Sequence, residues 1–132
     1  AAETGHLILS TLHTVGAVNT IDRIVDMFQG HQDQVRSQLS MILEAVISEQ
    51  LIPTIDGELI PVFETMQVNP AIRSQIRENK IHQIENTMAS NRQNGTVMMD
   101  DSIFELYQQN KISKDIAIQY SLHPDRMKSR VQ

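Results

Sequence analysis

A short apolar run bracketed by two histidines, His6-Leu-Ile-Leu-Ser-Thr-Leu-His13, constrains this chain more than any other stretch. Leu7 to Leu12 is entered through Thr4-Gly5 and left through Thr14-Val15-Gly16, the pattern of a central strand in a parallel sheet, buried on both faces. Ligands of open α/β sheets sit beyond the carboxyl ends of the strands. That rule puts Thr11, His13 and Thr14, rather than His6, nearest a ligand. Seven residues of strand at ~3.3 Å each separate His6 from His13 by roughly 23 Å, so the two cannot touch one bound group within a subunit. The odd spacing also sends them to opposite faces. His6 serves a subunit boundary or hydrogen-bonds the turn at Gly5. For His13 the plain alternative to a ligand contact is a structural histidine bonded to a neighbouring loop.

Downstream of this run, Asn19 or Thr20 opens a helix in which Ile21, Ile24, Val25 and Phe28 recur at helical spacing and Gly30 provides the stop. A longer helix is predicted over about Gln32 to Gln50, with Val35, Leu39, Ile42, Leu43, Val46 and Ile47 as its apolar stripe. Between Leu51 and Val68 the period changes to that of strands, with Asp56-Gly57 as a hairpin turn and Pro53 and Pro61 at edge positions. Asn69-Pro70 opens a helix to about Asn79, and a second short one covers about Ile81 to Ala89. Asn91 to Thr96 is polar and contains Gly, so it reads as a mobile loop. Three short helices follow, starting at Asp100 or Asp101, at Ser113 and at Pro124.

Composition narrows the function classes. The 132 residues are 40% hydrophobic, which suffices for a modest core, and they contain no cysteine, so disulfides and thiolate metal sites are excluded. A formal charge of −5 with 4% aromatic residues provides neither a basic stripe nor a stacking platform for nucleic acid. No apolar run approaches the roughly 18 to 20 residues of a membrane span. The five histidines lack metal-ligand spacing, so no metal site is expected, and the seven methionines read as core filler.

One further constellation stands out. Arg73 and Arg77 lie four apart on the helix opened by Asn69-Pro70, next to Ile72 and Ile76, and Lys80 extends the basic patch. A face that alternates aliphatic and guanidinium groups either docks on a partner or forms a solvated charged edge.

Several of these stretches together carry a resemblance. Glu3-Thr-Gly-His6 with Leu9-Ser-Thr-Leu-His13-Thr14 is similar to the histidine box of the type II/IV secretion NTPases, and most similar to the PilT-type ATPases that retract type IV pili. The likeness continues through Thr20-Ile-Asp-Arg-Ile24, Val35-Arg36, Gln38-Leu39, Val46-Ile-Ser48, Gln50-Leu51 and Pro53. It ends in Pro70-Ala-Ile-Arg73 with Ile76-Arg-Glu78 and Lys80, its most specific part. The sequence departs from the family pattern at Val15-Gly16, usually Asn-Ser, at Glu49, commonly Gln, and at Asn79, usually Gly. The lack of cysteine separates it from assembly-type relatives, which often carry a tetracysteine zinc motif in this half.

The resemblance implies an α/β fold: the C-terminal part of a RecA-like NTPase core over residues 1–68, comprising a central strand, two helices and a β-hairpin. A bundle of short helices follows over residues 69–132. It implies an ATPase that works as a cytoplasmic homo-hexamer at the inner membrane, uses ATP and Mg2+, contacts the membrane only peripherally and engages the pilus platform protein to drive retraction and twitching. His13, Thr11 and His6 become candidate catalytic residues, with Thr14 and His13 on the nucleotide side. Ala71, Ile72, Arg73, Ile76 and Arg77 become candidates for partner contact and coupling. The chain contains no Gly-x-x-x-x-Gly-Lys-Ser/Thr loop, so the phosphate cradle is expected upstream, and residues 1–132 alone are expected to be inactive and to bind no cofactor. The alternatives are an assembly or secretion ATPase of the same superfamily and a non-enzymatic helical adaptor.

Overall fold

The computed structural model describes the backbone of residues 1–132 and every side chain except that of Gln93. A 3-10 turn at Ala2–Thr4 leads into a segment without regular secondary structure, after which come α1 (Ala17–Asp26) and α2 (Gln32–Ile42). An antiparallel hairpin of β1 (Ala45–Pro53) and β2 (Leu59–Gln67) follows, then α3 (Pro70–Arg77) and α4 (Ile84–Ser90). The tail contains α5 (Met99–Gln108), α6 (Lys114–Tyr120) and α7 (Pro124–Arg130).

The hairpin is the frame on which the helices pack. Val46, Ser48 and Ile52 of β1 and Val62, Glu64 and Met66 of β2 are buried, alternating with outward residues as strand geometry requires. Val46, Met66, Ile21, Val25, Leu39, Ile72, Ile76 and Met88 belong to one apolar cluster. Ile52 and Val62 enter a second cluster with Met99, Ile103, Ile112, Ala117 and Met127. The hairpin therefore contributes to both, and α3 and α4 share a cluster with α1 and α2 rather than with the tail helices.

Several predicted boundaries shift for local reasons. The helix expected to run to Gln50 stops at Ile42, because Leu43 adopts extended backbone and Ala45 to Pro53 pair with Leu59 to Gln67. The turn predicted at Asp56-Gly57 is present: Gly57, at φ 82, donates to Thr54 O, and Glu58 N donates to Thr54 Oγ1. Asn69 caps α3 as expected, its Oδ1 accepting from Ile72 N at 2.8 Å. Asn79, where a glycine is usual, takes φ 58 and ends that helix in the left-handed conformation. The polar stretch Asn91 to Thr96, expected as a loop, contains a 3-10 turn at Arg92–Asn94 and is followed by a bridge between Thr65 and Val97.

The largest departure concerns Leu7 to Leu12. The segment has no regular secondary structure and joins no sheet among the described residues, and Leu7 and Leu9 are 84% and 89% exposed. Its composition is that of a buried strand, but the sheet of this chain consists of β1 and β2 only, and neither pairs with it. The outer face of the hairpin is similarly bare, with Ile47, Leu51, Leu59 and Phe63 exposed.

Candidate functional site

The turn from His13 to Gly16 joins the Leu7 to Leu12 segment to α1 and is tightly built. Thr20 Oγ1 donates to Gly16 O at 2.8 Å, which makes Thr14 the donor in its 2.8 Å hydrogen bond to Thr20 Oγ1. Asn19 Nδ2 donates to Val15 O. Gly16, at φ 93, permits the sharp entry into the helix, and a Cβ there would lie 3.1 Å from Leu122 Cδ1.

Two backbone amides at the start of α1 are already committed. Gly16 N donates to Ser48 Oγ at 2.8 Å and Ala17 N to Glu64 Oε1 at 2.7 Å, both within the interior. The second oxygen of the same carboxyl, Oε2, accepts from Met99 N at 3.0 Å, the first residue of α5. Asp100, the next residue, accepts from Leu122 N and His123 N, and the His123 ring meets the Glu85 carboxyl of α4. A cleft of about 310 Å³ opens beside this network, lined by Gly16, Asn19, Glu64, His82, Glu85 and His123 among others.

His13 projects from the turn with its side chain exposed, as does Thr11. His6 lies at the other end of the segment, exposed, with Nδ1 3.0 Å from Thr4 Oγ1 beside Gly5. Thr14 braces the turn through Thr20. No grouping of His, Asp and Glu among the described residues could hold a metal ion.

The expected coupling helix is arranged differently from the prediction. Ile72 and Ile76 are fully buried in the first cluster, so they hold α3 in place and are not part of an exposed face. Arg73 reaches across to the end of α2, where Nη1 donates to Ser40 O, Met41 O and Leu43 O, and Nη2 donates to Glu44 Oε1. Those carbonyls have no partners within their own helix, and a guanidinium both satisfies them and complements the negative end of the dipole. Of the predicted coupling residues, Ala71 and Arg77 remain exposed. Lys80 hydrogen-bonds Glu78 and holds its carboxyl below the usual carboxylate range.

The sequence did not assign Ser48, Glu64, Asp100 or Leu122 to this site. Glu64 left one readable trace: in Val62-x-Glu64-x-Met66 it occupies an inward strand position between two apolar ones. A carboxyl there requires buried partners.

Residues 1–129 match the family described as Type II/IV secretion system protein. The chain is 47% identical over 119 residues to a twitching motility protein of Neisseria gonorrhoeae, covering 89% of this chain and 32% of that protein. It is 40% identical over 126 residues to the type IV pilus retractation ATPase PilT of Pseudomonas aeruginosa, covering 95% and 37%. A crystal structure of the pilus retraction motor PilT with bound ADP matches its fold with a TM-score of 0.79 at 42% identity, over 94% of this chain and 35% of that one. The chain spans about a third of the length of these relatives. No helix is long and apolar enough to cross a membrane. The chain belongs to the type II/IV secretion system protein family, in its PilT-type branch.

Proposed function

We propose that this chain forms part of a motor ATPase that couples ATP hydrolysis to type IV pilus retraction, with His13 as its contribution to the hydrolytic site. The observation that carries this reading is 40% identity to a PilT retraction ATPase along 126 residues, a stretch that includes the His13 turn. In the complete protein the motor is a homo-hexameric ring at the cytoplasmic face of the inner membrane, working on the pilus platform protein.

What the chain can offer ATP and Mg2+ follows from its hydrogen bonds. The Gly16 and Ala17 amides are occupied by Ser48 and Glu64, and the Thr14 hydroxyl by Thr20, so none of them is available to a phosphate. His13 and Thr11 are exposed. These two fit a contact to the terminal phosphate, His13 as a donor at the end of a braced turn. The phosphate cradle and the metal-holding residues belong to other parts of such a protein. Bound Mg-ATP supplies the phosphoryl group, and the residues of this chain orient His13 toward it. Ala71 and Arg77 are the exposed residues of α3 suited to pass motion to a neighbouring subunit or to the platform.

Single-turnover and steady-state kinetics on the complete ATPase test the assignment. His13→Ala should lower kcat with a smaller change in nucleotide affinity, because a contact that strengthens as charge develops acts mainly on the barrier. His6→Ala should do less. Equal losses of turnover in the two variants would remove the case for a single phosphate-side histidine.

A further inference from the structure

Glu64 is 4% exposed and sits on β2 between Val62 and Met66, which enter the two core clusters. Burial of such a group is costly unless its oxygens find donors, and each here finds one: Ala17 N at 2.7 Å and Met99 N at 3.0 Å. Both donors are first residues of helices, where unpaired N–H groups and the helix dipole favour a carboxylate. One side chain thereby joins the start of α1, which leaves the His13 turn, to the start of α5, which opens the tail helices. A second connection closes the circuit. Asp100 of α5 holds Leu122 N at 2.7 Å, and Leu122 Cδ1 packs where Gly16 lacks a side chain. The cross-strand neighbour Ser48 fixes Gly16 N from the other strand.

We propose that Glu64 is a positioning residue that couples the tail helices α5 to α7 to the turn carrying His13. Because its two oxygens are both engaged, a displacement of α5 moves the first turn of α1 or breaks a bond at one end. Placement of His13 thus depends on the state of the tail helices. This rests on the reading of His13 given above.

Glu64→Gln is nearly isosteric but keeps a single carbonyl oxygen, so one of the two amides must face an NH2 group. Hydrogen exchange on the full-length protein should then quicken about tenfold at the start of α1 and at the start of α5 together, although a single bond is lost. Loosening confined to one helix start would overturn the coupling. In steady-state assays kcat should fall about tenfold with KM for ATP within about twofold, and adding Glu64→Gln to His13→Ala should cause no further loss. Independent, multiplying losses would show that Glu64 does not act through His13. Ser48→Ala provides a variant that frees the turn alone: exchange should quicken near Gly16 and not at Met99, with kcat again reduced. Full kcat in a Ser48→Ala protein with a loosened turn would also contradict the proposal. Exchange needs no nucleotide turnover, so a His13→Ala enzyme that retained full activity would defeat the reading of His13 while the exchange result still judged the coupling.

Discussion

Gly16 carries more constraint than its size suggests. Its φ of 93 lies where side-chain-bearing residues are strained, and Leu122 leaves only 3.1 Å for a Cβ. Gly16→Ala should destabilise the protein by roughly 1–3 kcal/mol, the cost of holding a residue in a sparsely populated backbone region. Urea denaturation measures this directly, and an unchanged midpoint would mean that the turn relaxes freely. Arg73 is constrained for a different reason, since its Nη1 donates to three carbonyls at the end of α2 while its Nη2 donates to Glu44 Oε1. Arg73→Lys retains the charge but has one nitrogen where Arg73 uses two, one on the carbonyls and one on Glu44, so both it and Arg73→Ala should lose stability, the alanine variant by about 1.5–3 kcal/mol. A lysine variant as stable as the parent would show that charge alone suffices.

Elements with local signals were legible in the sequence. Asn69-Pro70, Ser113 and Pro124 mark helix starts through capping and fixed φ, and Asp56-Gly57 marks the hairpin turn. Where two periods coincide the signal fails: Val46 and Ile47 continue the apolar stripe of α2, although Val46 and Ser48 also alternate as a strand does. Pairing with β2, a contact distant in sequence, decides for the strand. The His13 turn was legible through its histidine and threonines, while its supports, Ser48 and Glu64, lie on the hairpin and become visible only when the chain is folded. The face of α3 was misjudged because helical spacing places Ile72 beside Arg73 without stating which side meets the core. Truncating Ile76 to Ala should therefore cost about 2–5 kcal/mol of stability, as core truncations do, rather than affect a partner contact alone. Calorimetry of the variant checks this, and an unaltered Tm would return Ile76 to the surface.

At the scale of the molecule, the exposed apolar side chains are the feature that a compact chain would not leave bare. Leu7, Ile8 and Leu9 lie in a segment that joins no sheet among the described residues, and Ile47, Leu51, Leu59 and Phe63 crowd the outer face of the hairpin. Unpaired strand edges and contiguous apolar surface recruit other chains. Residues 1–132 produced alone should self-associate, and Leu7→Lys with Leu9→Lys should shift light scattering toward monomer. A monomeric parent chain at high concentration would indicate that these side chains find cover within the fold. The central claim, that the complete protein retracts pili by hydrolysing ATP, is tested most directly by following fluorescently labelled pili in cells whose own copy carries His13→Ala. Pili should extend at the normal frequency, persist and fail to retract, abolishing twitching. Cells that make no pili would point instead to an assembly motor, and normal retraction would contradict the role of His13 in the motor.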